Sequence, residues 1–461
     1  MASLTLKEII AAIDGKVVQG DAEPSIAGIA IDSRKIQPGE LFIALIGERF
    51  DGHNFLAQAA AAGAAALVVM KTTDLPADCG PVIQVEDTLK ALGMIARLYR
   101  RKFDIPVIAI TGSNGKTTTK DLVAAVLSEQ WSIIKTEANF NNEIGLPLTL
   151  LQIKAETQAA VVEMGMRGAG QIRQLAAIAE PSIGVVTNVG LSHLELLGSQ
   201  ENIALAKSEL DEALPPTGLA VLNGDDPLVR KMQELHRGKT VLYGIEGLRL
   251  DYRADDLKIG PQGSTFTVHF KGGHSAVQLP IAGRHNVLNA LAAIAVAREC
   301  GISSEMIQKG LAQPQLTAKR LNIIERNGIA IIDDTYNASP ASVKAALDVL
   351  KISGMGRRKI AVLADMLELG PTAAQIHREI GEYAARTGVD RMLSFGDLAL
   401  GYSEGFNRVA AGKSEHYLEK QALIDRLQSL IQPNDLILIK GSRGMKMDEV
   451  VAALSEMEVG D

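Results

Sequence analysis

Residues Val107 to Lys120 read V-I-A-I-T-G-S-N-G-K-T-T-T-K, an apolar run that ends in a glycine-rich turn and opens into a helical pattern near Lys116. Backbone N–H groups in such a turn, here Gly112, Ser113, Asn114 and Gly115, can cradle phosphate oxygens beside a helix N-terminus. Lys116 supplies a cation for the distal phosphates, and the Thr117 hydroxyl can join the shell of a magnesium ion. Thr118 completes the nucleotide-binding run. ATP or GTP is therefore the first ligand to consider. The usual spacing is G-x-x-x-x-G-K-[ST], and Ile110 stands where its first glycine belongs, leaving a shorter T-G-x-x-G-K-T. A strand before and a helix after favour a nucleotide role over an ordinary strand–turn–helix corner.

Ligands of open α/β sheets sit at the carboxyl ends of strands. Read together, those ends carry Glu163 in E-M-G, then T-N-V-G at 187–190 with His193 and Glu195 just beyond. A carboxylate and an imidazole beside Lys116 and Thr117 suit Mg²⁺ or Mn²⁺ held against phosphates. Taken singly, Glu163 reads as a helix cap or surface acid, and His193 as a loop histidine. Lys207, in I-A-L-A-K-S-E-L, reads on its own as a solvated helix lysine. Two later strand ends, D-D-T-Y-N-A-S-P at 333–340 and K-G-S-R-G at 440–444, could hold ribose hydroxyls, a phosphate, a substrate amine or a carboxylate, and tight capped turns are an equal reading of each.

The elements that must position these groups fall into three blocks. Residues 1–102 hold short strands, turns and an Ala-rich helix, closing on the charged patch Arg100-Arg101-Lys102. Residues 103–315 alternate β-like runs (I-P-V-I-A-I, A-A-V-V-E-M, I-G-V-V-T-N, G-L-A-V-L-N) with helical ones, the signature of a parallel sheet with crossover helices. From about Leu248 to Leu279 alternation with glycines predicts an antiparallel addition. Residues 316–461 alternate again (I-A-I-I-D-D, K-I-A-V-L-A-D, R-M-L-S-F-G, D-L-I-L-I-K-G) and predict a second doubly wound unit.

Bulk properties bound the answer. A chain of 461 residues, 47% hydrophobic but only 4% aromatic, builds its core from Ala, Val, Ile and Leu, as helices on parallel sheets require. The net charge of −7 is spread in mixed sign, and no basic run argues for nucleic acid. Cys79 and Cys300 form neither a metal spacing nor a disulfide framework. The N-terminal residues lack a signal-peptide apolar region. The most apolar stretch, Leu56 to Met70, is interrupted by Gln58 and Gly63 and falls short of the ~20 residues of a membrane span. A cytoplasmic location is expected.

With these residues together the chain resembles a Mur ligase. The resemblance runs through D-S-R-K-I-Q-P-G-E-L-F-I-A-L and D-G-H-N-F, T-G-S-N-G-K-T, T-E-A-N-F-N-N-E-I-G-L-P, E-M-G-M-R-G, T-N-V-G-x-S-H-L-E, A-K-S-E-L, G-R-H-N-V-L-N-A, D-D-T-Y-N-A-S-P and K-G-S-R-G-M-K-M. The stretch Asn139–Pro147, M-G-M-R-G and the closing K-G-S-R-G-M-K-M point to the branch that adds D-alanyl-D-alanine. The family implies a three-domain α/β architecture: a UDP-sugar domain at 1–102, a central P-loop parallel-sheet domain at 103–315, and a Rossmann-like domain at 316–461 that completes the ATP site and binds D-Ala-D-Ala.

The resemblance further implies roles. Lys116 binds the β/γ-phosphates, Thr117 and Glu163 hold one Mg²⁺, and His193 with a carbamylated Lys207 supports a second. Asn286 and Asn289 read the adenine; Arg320 and Asp334 hold ribose and phosphates. Ser33 and Arg34, with Asp51 and His53, contact the UDP-sugar, while Asn139, Asn141 and Asn142 line the peptide path. Arg443 is the candidate anchor for the dipeptide carboxylate. The substrates implied are ATP, UDP-N-acetylmuramoyl-tripeptide and D-alanyl-D-alanine, taken by a monomer in peptidoglycan precursor synthesis. Many family members carry D-Y-A-H-x-P where this chain has D-T-Y-N-A-S-P, so that histidine's role has no counterpart here. Rival readings are a D-Glu- or diamino-acid-adding ligase, a folylpolyglutamate synthase, a P-loop switch protein, or a nucleotide-binding module without catalysis.

Overall fold

Strands buried on both faces must be apolar at every position, and the runs read above are such strands. The computed structural model describes residues 4–72, 75, 77, 79–326 and 328–456. Three large sheets appear in chain order. The first has five strands, ordered Lys16–Gln19, Val82–Gln84, Ala66–Val69, Glu40–Ile43, Gly28–Ala30, parallel except for Lys16–Gln19 at its edge. The second has nine, ordered Gly273–Leu279, Gly263–Phe270, Tyr252–Gly260, Lys239–Gly244, Leu219–Asn223, Ile183–Val186, Val107–Thr111, Ala159–Glu163, Ile133–Lys135. The third has six, ordered Asn322–Arg326, Ile329–Asp334, Leu436–Lys440, Lys359–Ala364, Arg391–Phe395, Ser414–Tyr417.

The antiparallel addition expected from Leu248 onward is present, with one difference. Its first strand, Tyr252–Gly260, runs parallel to Lys239–Gly244, and only the two strands after it are antiparallel. Short edge strands such as Ile133–Lys135 and Ser414–Tyr417 were not legible in the sequence, because partial exposure leaves them without a continuous apolar run.

Alternate residues of each central strand serve different cores, as the two-residue period demands. Val107 and Ala109 join one apolar cluster and Ile108 and Ile110 the other, on opposite faces of the nine-stranded sheet. In the six-stranded sheet, Leu436 and Leu438 face one cluster while Ile437 and Ile439 face the next.

The charged patch at 100–102 is more than punctuation. Helix Thr88–Arg100, capped by the Asp87 carboxylate, packs on the helices Gly145–Leu150 and Gln171–Ala179 of the central block. Its Tyr99 hydroxyl donates to the Ile153 carbonyl at 2.5 Å. Arg97 and Arg101 both pair with Glu180, and Lys102 with Glu8. One apolar cluster therefore runs from Leu4 through Leu92 and Tyr99 to Leu222 and Leu242, spanning the first two sheets.

No helix among the described residues is long and apolar enough to cross a membrane. Cys79 is buried and Cys300 half-buried; neither forms a disulfide, and burial pushes the Cys300 thiol up to about 11. Leu438→Ala, at a fully buried position of the six-stranded sheet, should destabilise that sheet by about 2–5 kcal/mol. Urea unfolding followed by circular dichroism should show the earlier transition, with the phosphate-loop region unfolding as in the wild type.

Candidate functional site

The phosphate-loop strand Val107–Thr111 lies between Ala159–Glu163 and Ile183–Val186. The connection order reverses there, opening a crevice at the carboxyl ends of the three strands. Two glycines let the loop press into that crevice. Gly112 has φ +145°, and a Cβ on it would lie 1.8 Å from Thr187 Oγ1. Gly115 has φ +81°, and a Cβ there would lie 2.5 Å from Asn289 Oδ1. Asn188 clamps the turn from the neighbouring strand end. Its Oδ1 accepts from Asn114 N at 3.0 Å, and its Nδ2 donates to Asn114 O at 2.9 Å.

Lys116 opens the helix Lys116–Ser128 and is half-buried. Its ammonium donates back to Gly112 O at 2.8 Å. Burial, with Arg320 nearby, holds it below the ordinary lysine range, while Glu163 opposes that shift. A buried ammonium held by backbone carbonyls and crowded by a second cation is poised for an anion. Thr117 Oγ1 donates to Glu163 Oε2 at 2.7 Å, and Asn141 Nδ2 donates to Glu163 Oε1 at 2.8 Å. Hydroxyl and carboxylate thus stand together at the loop's end, the oxygen donors that a hard cation takes.

The loop after Ile183–Val186 is held by Asp226, whose Oδ2 accepts from Val189 N at 2.8 Å while its Oδ1 caps the helix Pro227–Lys231. This loop carries His193, in a left-handed backbone at φ 64°. Burial and the charges of Lys116 and Lys207 pull the imidazole down, against the pull of Glu368. Lys207 is only 2% exposed on the helix Gln200–Ala213, correcting the solvated-lysine reading of its local sequence. Burial, then Lys116, holds it far below the ordinary lysine range, and no acid pairs with it among the described residues.

Asn286 and Asn289 sit buried on the helix Arg284–Glu299, which packs along the phosphate-loop helix. Asn289 Nδ2 donates to Asn286 Oδ1 at 3.2 Å, and its Oδ1 accepts from Thr119 at 3.2 Å. From the six-stranded sheet come Asp334 and Lys440, direct neighbours in register. The Lys440 ammonium donates to the Asp334 carboxylate and, at 2.8 Å, to Asn337 O. Arg320 stacks over the Tyr336 ring at 4.0 Å, and its Nε has no hydrogen-bond partner among the described residues. His285 is half-buried beside them, held down to about 4 chiefly by desolvation.

One cleft of about 1510 Å³ joins most of these groups, with Lys207 outside its walls. Its walls include the phosphate loop, Glu163, His193, Asn286, Asn289, Arg320, Asp334, Asn139, Asn141 and Asn142, and it continues to Ile46, Glu48 and Lys90 of the first block. That exceeds the ~300–1,000 Å³ of a pocket for one small molecule. Asn142 also caps the helix Gly145–Leu150 by accepting from Gly145 N at 2.9 Å. Among the described residues no three His, Cys, Asp or Glu side chains form a metal cage. A cation here would draw much of its shell from substrate phosphates and water, as Mg²⁺ usually does.

Other expected residues lie outside the cleft walls. Ser33 bonds Gln58 at 3.0 Å, and Arg34 is exposed with its guanidinium on both oxygens of Asp32. Asp51 and His53 clasp each other at 2.6 Å, with His53 Nε2 accepting from Met70 N at 2.9 Å and Lys71 closing on Asp51. Arg443 reaches the rim through Tyr336, 5.3 Å from its ring.

Family models match most of the chain: "Mur ligase family, catalytic domain" at residues 25–100, "Mur ligase middle domain" at 110–297, and "Mur ligase, glutamate ligase domain" at 319–443. The chain belongs to the Mur ligase family. It is 41% identical to the UDP-N-acetylmuramoyl-tripeptide–D-alanyl-D-alanine ligase of Bacillus subtilis and 37% identical to that of Escherichia coli, covering 99% of every chain. Its fold matches MurF of Acinetobacter baumannii with a TM-score of 0.92 at 35% identity, over 99% of this chain and 100% of that one. MurF of Thermotoga maritima in complex with ADP matches with a TM-score of 0.82 at 28% identity, over 93% and 97%. The three-domain α/β architecture read from the sequence is that of these Mur ligases.

Sequence reading placed Asn188, Tyr336 and Lys440 in candidate strand-end runs without giving them roles, and it missed Asp226 as part of this Mur-ligase cleft. Asp226 could have been found by extending the strand-end rule to every residue just past a parallel strand. The pairing of Lys440 with Asp334 could not, since the two are 106 residues apart. Gly115→Ala should weaken binding of a fluorescent ATP analogue by at least about tenfold, because it forces a left-handed backbone on alanine and displaces Asn289. Its melting temperature should fall by a few degrees, as about 1–2 kcal/mol of left-handed strain implies.

Proposed function

We propose that this Mur ligase joins D-alanyl-D-alanine to the terminal carboxylate of UDP-N-acetylmuramoyl-tripeptide, with ATP converted to ADP and phosphate, in the supply of peptidoglycan precursors. The carrying observation is the single cleft that unites a phosphate loop with the Asn139–Asn142 segment, in a chain that matches ligases of that printed activity over 99% of its length. Ligases that add a single amino acid match this chain at only 19% identity, a likeness of fold alone.

A carboxylate is a poor acyl donor, and ATP makes the leaving group. A carboxylate oxygen of the tripeptide attacks the γ-phosphorus, the bond to the β,γ-bridging oxygen breaks, and ADP departs. The amine of D-Ala-D-Ala then attacks the acyl carbon, phosphate leaves with the former carboxylate oxygen, and the amine gives up a proton. Lys116 would gather negative charge at the transferred phosphoryl group, a positioning and electrostatic task. Asn286 and Asn289 would receive the adenine, with Arg320 and Asp334 on the ribose–phosphate side. The oxygen donors of Thr117 and Glu163 fit Mg²⁺, which would neutralise phosphate charge when bound. His193 would serve a second ion.

Lys207 is assigned as a carbamylated lysine. An ammonium buried without an acid and next to Lys116 is disfavoured. The neutral amine can add CO₂, and the carbamate would answer the Lys116 charge with an oxygen ligand. In the first block we assign Ser33 and Arg34 to the UDP-sugar. Asp51 and His53 would shape that surface through their clasp. Arg443, tethered beside Tyr336, is the assigned anchor for the dipeptide carboxylate. The roles divide over residues 1–102, 103–315 and 316–461 as the family pattern has them, in a monomeric cytoplasmic enzyme.

In a coupled assay, ADP release should require the UDP-muramoyl tripeptide and D-Ala-D-Ala together. Sustained turnover with D-Glu or a diamino acid in place of the dipeptide would move the chain to another branch of the family. Lys207→Ala should lose nearly all activity, with partial recovery in short-chain carboxylates. Full activity without rescue would remove the carbamate.

A further inference from the structure

Two non-glycine residues adopt left-handed backbones where the His193 loop meets the C-terminal block: His193 at φ 64° and Glu368 at φ 63°. Such conformations are unfavourable for side chains with a Cβ and persist where surroundings impose them, often at functional sites. The two residues face each other. His193 Nδ1 lies 2.6 Å from Glu368 Oε2, in a close contact that is not an aligned hydrogen bond. Glu195 N donates to the Glu368 carbonyl at 3.3 Å.

Glu368 is itself held firmly. Leu367 N donates to Ser442 Oγ at 2.9 Å, and Met366 N donates to His377 Nε2 at 3.0 Å. A second contact joins the same two blocks at the phosphate loop, where Ser339 Oγ donates to Asn114 Oδ1 at 2.6 Å. The left-handed turn of Glu368 therefore sits in a rigid seat and aims a carboxylate across the junction.

Resting on the reading of His193 as a metal-side residue, we propose that Glu368 is a positioning residue for His193. Its carboxylate, delivered from the C-terminal block, engages the Nδ1 side of the imidazole and leaves Nε2 for a divalent cation in the cleft. A carboxylate behind an imidazole fixes the ring's tautomer and orientation and strengthens it as a ligand. Because the carboxylate and the imidazole belong to different blocks, the ring is oriented only where those two blocks meet.

The test uses the full-length protein with Mn²⁺ and a non-hydrolysable ATP analogue, counting free Mn²⁺ by electron paramagnetic resonance. Glu368→Ala should weaken Mn²⁺ binding by about tenfold or more, and His193→Ala by at least as much. Glu368→Gln, which keeps the shape but not the charge, should show a smaller, measurable loss. In turnover, Glu368→Ala should raise the Mg²⁺ concentration for half-maximal rate while the KM for the UDP-substrate stays within about twofold. If Glu368→Ala does not fold, Glu368→Gln decides, and wild-type Mn²⁺ affinity in it overturns the proposal. Wild-type affinity in both Glu368 variants with a loss in His193→Ala sinks the role of Glu368 alone. Wild-type affinity in His193→Ala sinks the metal reading beneath it.

Discussion

Everything in the cleft depends on how closely the phosphate loop can approach its neighbours. Gly112 and Gly115 occupy space that any Cβ would contest with Thr187 and Asn289. That closeness puts the loop's N–H groups at the mouth of the crevice and sets Asn289, with its partner Asn286, directly behind them. A single added methyl group would press on the helix Arg284–Glu299 through Asn289. The spacing between loop and helix is thus set by the loop backbone lying directly against the Thr187 and Asn289 side chains.

The second organising fact is an excess of cations in a buried place. Arg320 holds Lys116 down and Lys116 holds Lys207 down, and Lys207 has no acid partner among the described residues. Such crowding opposes the resting state and favours anionic ligands, since phosphate oxygens would relieve the repulsion. Where a carboxylate is available it is already shared: Glu163 with Thr117 and Asn141, Asp334 with Lys440. The site is therefore preorganised for charge that arrives with substrate, which is how phosphoryl transfer gains most from a protein.

Closure supplies the third element. The cleft has walls from all three blocks, and the central and C-terminal blocks meet beside it at Asn114–Ser339 and His193–Glu368. An acyl phosphate exposed to water would hydrolyse, so a ligase gains from assembling its charged groups only in a shut cleft. The helix Thr88–Arg100 plays a different part. It shares one apolar cluster with the central sheet and anchors the first block by burial as well as by the Glu180 ion pairs.

The sequence alone determined the strands and their order of chemistry. Apolar runs ending in G-S-N-G-K-T, E-M-G, T-N-V-G and D-D-T-Y are local signals, because a doubly buried strand must be apolar throughout and its carboxyl end must carry the polar work. Those residues indeed line one cleft. Only tertiary structure decided the state of each group. Lys207 reads locally as a solvated lysine, yet packing against neighbouring elements leaves it 2% exposed. Asp51 and His53 read as sugar contacts, yet they are drawn into a clasp by Lys71 and the Met70 backbone. Lys440 and Asp334, or Glu368 and His193, meet only because sheets stack strands that are distant in the chain. Burial and pairing are sums over neighbours remote in sequence, and no local pattern encodes which remote neighbour arrives.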